Sequence, residues 1–182
     1  MRHHTILTAI ALLLAATTAQ AANVTDEIDR FTGKRVIAFT SSSKVKLGTP
    51  TVTAKLVSDK GKTLGLFSFI VASMPAGRYQ VQKSYLTCRT IDWLVDGVPT
   101  PMGTVVNSPI FSRAGRIDNL IQEVEPALMG KIAAARAVEY RICGAEFQLT
   151  ADDIGSVAEM MRRYASSPDT SPAVPAPTGS NE

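Results

Sequence analysis

Few side chains in this sequence could do chemistry. Ser41-Ser42-Ser43-Lys44 has the S-x-x-K spacing. In serine-acylating enzymes that spacing works because the serine opens a helix and the lysine lies one turn on, pointing back at it. Here the segment lies between two strand-like runs, with Val45 and Leu47 following. Strand or turn geometry would not carry Lys44 onto Ser41, so a serine-rich turn is expected. Asp92 and Asp96 stand four apart on one strand-like run and would share a face. A hydrolytic pair needs two carboxylates at a set separation, one with a raised pKa. Asp96 precedes Gly97 and is better explained as a turn residue. Asp92, beside Trp93, has no such explanation. Asp152 and Asp153 suit the start of a helix, whose dipole favours acids.

The histidines, His3 and His4, both lie within residues 1–21. That segment reads as a cleavable secretory signal. Arg2 supplies the positive charge, residues 6–16 an uncharged apolar run, and Ala19-Gln20-Ala21 a small-x-small cleavage site. The apolar run is too short to span a bilayer. The expected working chain starts near Ala22 and is periplasmic or secreted. It then carries no imidazole, so Ser-His-Asp and Cys-His catalysis and histidine-ligated metals are excluded. An acid–base enzyme would have to retune a carboxylate, a lysine or a tyrosine. No calcium loop, G-x-G-x-x-G or Walker A motif appears, so no cofactor and no metal are expected.

Removing the leader leaves about 160 residues, enough for one domain with a core. Cys88 and Cys143 form an even pair, which in an oxidising compartment favours a disulfide. The bond would close a loop of about 55 residues, worth about 4 kcal/mol in the chain-entropy model. A buried thiol or a reactive cysteine is the alternative. Charge is uneven along the chain. Between Arg30 and Arg89 there are eleven Lys and Arg and one acid, Asp59; from Thr90 onward there are seven Lys and Arg and twelve Asp and Glu. The plain reading is two halves that pack together and offset one another. The sharper reading is a basic face, with Lys44, Lys46, Lys55, Lys60 and Lys62 as candidate contacts for an anionic partner: lipid, glycan or acidic protein. Nucleic acid is not expected, because aromatic residues do not interleave with the basic ones.

These residues must be positioned by an α+β domain over residues 22–165. Residues 34–40 and 49–58 read as strands, the latter with Val52, Ala54 and Leu56 inward and Thr51, Thr53 and Lys55 outward. Asp59-Lys60-Gly61-Lys62 is a turn, and residues 63–73, rich in Phe67, Phe69, Ile70 and Val71, form a buried central strand. Residues 79–86 alternate loosely. Residues 90–95 form a strand, Asp96-Gly97 a hairpin turn, and residues 98–106 the return. Residues 107–116 are loop-like. Residues 117–124 fit either a helical face or a strand. Pro126 starts a short helix, since proline suits the first helical position. Residues 137–143 and 146–149 form strands around Gly144. Thr150-Ala151-Asp152-Asp153 is a near capping box before a helix with Ile154, Val157, Ala158 and Met161 on one face. The sum is a mainly antiparallel sheet of about six or seven strands with two helices in the C-terminal half. Residues 166–182, with Pro168, Pro172, Pro175 and Pro177, read as a disordered Pro/Ser/Ala-rich tail.

Asp29-Arg30-Phe31-Thr32-Gly33 leading into a strand, the central Asp96-Gly97 hairpin, and the run from Val138-Glu139-Tyr140-Arg141-Ile142-Cys143-Gly144 through Phe147 and Thr150 into a last helix carry one resemblance. The chain resembles a broad set of small, exported, uncharacterised bacterial α+β proteins. The resemblance covers roughly residues 29–164 and implies that residues 119–125 form a strand. It implies no activity and transfers no functional residue. The functional expectation is therefore a non-catalytic exported binding or interaction protein of the envelope. The alternatives are an inhibitor or immunity-type protein that blocks a secreted enzyme, presenting residues 107–116, and a hydrolase running on carboxylates or a lysine.

Overall fold

A computed structural model describes residues 24–41, 48–73, 88–112 and 115–166. The leader, Ser42 to Leu47, the loosely alternating residues 79–86, and the Pro-rich tail lie outside them.

The first sheet has the order β1 (Thr25–Ile28), β2 (Arg35–Thr40), β3 (Thr51–Asp59), β4 (Lys62–Ser73), β9 (Gly115–Val124), β7 (Val105–Asn107), all neighbours antiparallel, with β8 (Ile110–Ser112) also pairing β9. β4 is central as its apolar run predicts. The β3–β4 turn places Lys60 and Gly61 at positive φ, 50° and 76°, the pair of left-handed residues that matches strand twist. A second, four-stranded sheet has the order β11 (Ala145–Gln148), β10 (Val138–Ile142), β5 (Ile91–Val95), β6 (Val98–Pro99). Its turn at Asp96 and Gly97 repeats the same geometry, with φ of 49° and 76°.

The inner face of the first sheet carries Ile37, Phe39, Ala54, Leu56, Phe67, Phe69, Val71 and Leu120, all buried. Two covers share it. Over β4 and β9 lies the second sheet, whose inward residues Ile91, Trp93, Val138, Tyr140 and Ile142 alternate with outward Asp92, Leu94, Glu139 and Arg141. Ring centroids run Phe67–Trp93 at 5.1 Å, Phe69–Tyr140 at 4.9 Å and Tyr140–Phe147 at 5.5 Å, in tilted or stacked pairs that add about 0.5–1.5 kcal/mol each beyond area burial. Over β2 to β4 lie the helices α1 (Pro126–Ala134) and α2 (Ala151–Ser166), packed on each other. Gly65 leaves the space that Met129 of α1 and the Val124 carbonyl occupy.

Pro126 opens α1 as expected. The box at α2 closes reciprocally: Asp153 N–H donates to Thr150 Oγ1 at 3.1 Å, and Thr150 N–H donates to Asp153 Oδ2 at 3.0 Å. Cys88 and Cys143 are disulfide-bonded with Cα atoms 5.7 Å apart, tying the entry to β5 to the β10–β11 turn.

Four expectations need correction. The return after Asp96-Gly97 is not one strand: Val98 and Pro99 pair with β5, the Thr100 N–H adds one bond to the Trp93 carbonyl at 2.9 Å, and the chain then crosses to the first sheet as β7. Pro99 is tolerated because its position is a non-bonded one, facing away from β5, and the ladder runs past it to Thr100. Residues 107–116 are not a loop, because β8 and the start of β9 form a hairpin there. Thr51 and Thr53 point to the outer face yet are buried. The buried face of α2 is Asp153, Ile154, Ser156, Val157 and Met160, while Met161 is half-buried.

Candidate functional site

Two clefts flank the strap of residues 100–104 that carries the chain between the sheets. One, about 390 Å³, is lined by Arg89, Thr90, Asp92, Thr100, Met102 and Gln122, among others. Among its polar lining residues Gln122 is buried and taken up in structural bonds. Gln122 Oε1 accepts from Trp93 Nε1 at 2.7 Å, and its Nε2 donates to the carbonyls of Gly103 at 3.0 Å and Ile91 at 3.4 Å. Thr100 Oγ1 donates to the Val98 carbonyl. The other, about 430 Å³, is lined by Leu64, Met102, Glu123, Glu125, Pro126 and Leu128, among others. Gly103 holds the strap against β9, donating its N–H to the Glu123 carbonyl at 3.1 Å.

The sequence-selected carboxylates do not converge. Asp92 lies on the outward face of β5 and takes a two-nitrogen grip from Arg141, at 2.8 and 3.1 Å. That grip raises the Arg141 pKa further. Asp96 sits in its turn, and its Oδ1 accepts the backbone N–H groups of Arg136 and Ala137 at 2.9 and 3.0 Å. Asp118, fully buried, is paired with Arg116. Among the described residues no three His, Cys, Asp or Glu gather as a metal site.

Of the candidate lysines, Lys44 and Lys46 lie outside the described residues. Lys55 is exposed on the outer face of β3, Lys60 is at the β3–β4 turn, and Lys62 opens β4 opposite Asp59. Asp59 itself pairs with Lys34 at 3.2 Å. Lys60 and Lys62 stand beside Asp59 at the β3–β4 turn, where Lys34 also binds it, while Lys55 lies further along β3. No described helix is long and apolar enough to cross a membrane. The serine of the S-x-x-K spacing that is described, Ser41, is buried, and its N–H bonds the Val52 carbonyl.

The feature that sequence reasoning missed is the β1–β2 turn. Phe31 is 83% exposed and Ile28 70%. The turn that carries them is tightly bonded. Asp29 Oδ1 accepts the N–H groups of Phe31 at 2.8 Å and Thr32 at 3.1 Å, and these bonds hold the Asp29 carboxyl below its ordinary pKa. Gly33, at φ 71°, donates its N–H to the Asp29 carbonyl at 2.7 Å. Asp29 N–H closes the turn on the Lys34 carbonyl at 2.8 Å. The Arg30 guanidinium stands 4.5 Å from the Phe31 ring centroid, a cation–π contact. The signal was available: an Asp and a Gly bracket Arg30-Phe31-Thr32, so the aromatic falls at a tip, where no sheet face can take it in.

Below the tip, β1 is tied to the last helix. Arg35 binds Asp26 through two nitrogens at 2.6 and 2.8 Å and lowers its pKa. Arg35 also reaches the Arg163 carbonyl at 3.0 Å, and Arg163 reaches the Val24 carbonyl at 2.8 Å.

No family model, no curated protein and no solved structure matches this chain.

Proposed function

We propose that this chain is a non-catalytic interaction protein of an export compartment that recognises a protein partner through the β1–β2 tip. The observation that carries the reading is an aromatic ring held outward on a turn whose backbone is already fixed. A rigid, exposed aromatic anchor loses little entropy on binding and is the residue type that dominates interface energetics. The disulfide supports an oxidising compartment. The engagement of Asp92, Asp96, Asp118, Asp153 and Gln122 in fold-holding bonds weighs against the carboxylate-hydrolase alternative.

The test is site-specific crosslinking. Benzoylphenylalanine at position 31, a near match for Phe31, is compared with the same probe at Val98, an exposed valine of the second sheet. A discrete adduct formed only from position 31 is the expected result. Equal labelling from both positions, or none from either, removes the reading.

The reading with an anionic envelope component has its own observation: Lys55, Lys60 and Lys62 are all exposed. Reversing the charge of all three should abolish salt-sensitive binding to anionic vesicles. Binding that survives the reversal removes that version.

A further inference from the structure

We infer that the outward edge of β1 is a strand-addition site for an extended cationic segment of a protein partner. The inference rests on the interaction-protein reading and names the chemistry of its partner. The Asp29–Lys34 pair is hydrogen-bonded. Bonded pairs recur at every second residue of an antiparallel ladder, so Thr25 and Glu27 direct their backbone groups at β2. Asp26 and Ile28 then direct theirs away from the sheet. Among the described residues β1 pairs with β2 alone, and all four of its residues are exposed. The edge therefore offers alternating N–H and C=O groups, the surface used in β-strand addition.

Charge selects the occupant. In a two-fold pairing of β1 with a second copy, the outward residues must face each other. Setting Asp26 against Ile28 puts Glu27 opposite Glu27, and setting Asp26 against the second copy's Asp26 puts those two carboxylates opposite each other. Like charges directly opposite are destabilising, so the edge disfavours its own copy. The chain's C-terminal segment is also a poor occupant, because Pro168, Pro172, Pro175 and Pro177 have no N–H to donate. A foreign strand carrying Lys or Arg opposite Glu27 makes a favourable cross-strand pair, with the exposed Ile28 and Phe31 at the end of the same edge.

Two synthetic heptapeptides test this, one alternating Lys with Val and its twin alternating Glu with Val, titrated into the isotope-labelled chain. The Lys peptide should bind saturably and move the amide signals of Asp26 and Ile28 more than those of Thr25 and Glu27. Ile28→Pro removes one outward N–H and should weaken binding about tenfold, leaving the unfolding midpoint in place because proline is tolerated where an edge N–H faces solvent. Glu27→Lys, which leaves the backbone untouched, should reverse the preference to the Glu peptide. Equal binding of the twins, undiminished binding to Ile28→Pro, absence of saturable binding, or a self-association that Ile28→Pro abolishes would each overturn the inference. A position-31 adduct that persists in Ile28→Pro would spare the interaction-protein reading while ending this one.

Discussion

The contact between the two sheets is most sharply tested at Gln122. An indole N–H is only a donor, so it must meet the amide oxygen, which leaves the amide nitrogen facing the Gly103 and Ile91 carbonyls. The bond lengths are 2.7, 3.0 and 3.4 Å, and Trp93 is 2% exposed. Gln122→Leu keeps the bulk and removes all three bonds. It strands the Trp93 N–H, at a cost of about 1–3 kcal/mol for a buried donor left unpaired; Gly103 is exposed, so its carbonyl can turn to water. The third bond is long and adds little. A loss of about 1–3 kcal/mol follows, or about 3–10 °C in midpoint for a domain of this size. Trp93 is the sole tryptophan, so its emission reports on this junction directly, alongside far-ultraviolet circular dichroism. Trp93→Phe completes a double-mutant cycle, with a coupling of at least about 1 kcal/mol expected between the two sites. A midpoint shift under about 2 °C for Gln122→Leu, or strictly additive losses, would refute the latch.

Other perturbations test other joints. Replacing Cys88 and Cys143 by Ala should cost about 4 kcal/mol, since the bond spans 55 residues; two free thiols on non-reducing mass analysis of the oxidised protein would contradict the pairing itself. Gly103→Ala should loosen the strap between the clefts, because an added Cβ would stand 2.6 Å from the Glu123 carbonyl oxygen; faster amide exchange at residues 100–105 is the readout, and unchanged protection would count against it. Arg162 and Arg163 hold the Glu159 carboxyl down to about 2. A depressed folded pKa stabilises above the ordinary carboxylate range and is lost as pH falls through the folded value. Glu159→Gln should therefore be less stable than the parent at pH 6 and should show a shallower decline between about pH 4.5 and 2; parallel acid limbs would refute the assignment.

Much of the fold was legible because its signals are local. Thr51 to Leu56 alternates, Asp96-Gly97 and Lys60-Gly61 demand left-handed backbone, and Pro126 and the Thr150–Asp153 box each mark a helix start through their own chemistry. What escaped depends on partners far along the chain. β7 and β8 are three residues each, too short for periodicity to register, and they exist because β9 offers them a ladder. The chain's change of sheet after Thr100 has no local signal, since Pro99 sits where the ladder needs no N–H. Thr51 and Thr53 look like solvent-facing residues of an alternating strand, and only the tertiary arrangement buries them. At the candidate site, Asp29 and Gly33 announced the tip that exposes Phe31, but β1 is four residues long, too short for periodicity to mark the hairpin beneath it.

The ties among Val24, Arg35 and Arg163 join the opening strand to the closing helix. That makes synthesis through α2 a condition for closing the core. A polypeptide that stops before Ala151 leaves Ile37 and Phe39 without their cover and β1 without its clasp. Commitment to the native state thus waits for the sixteen-residue helix α2.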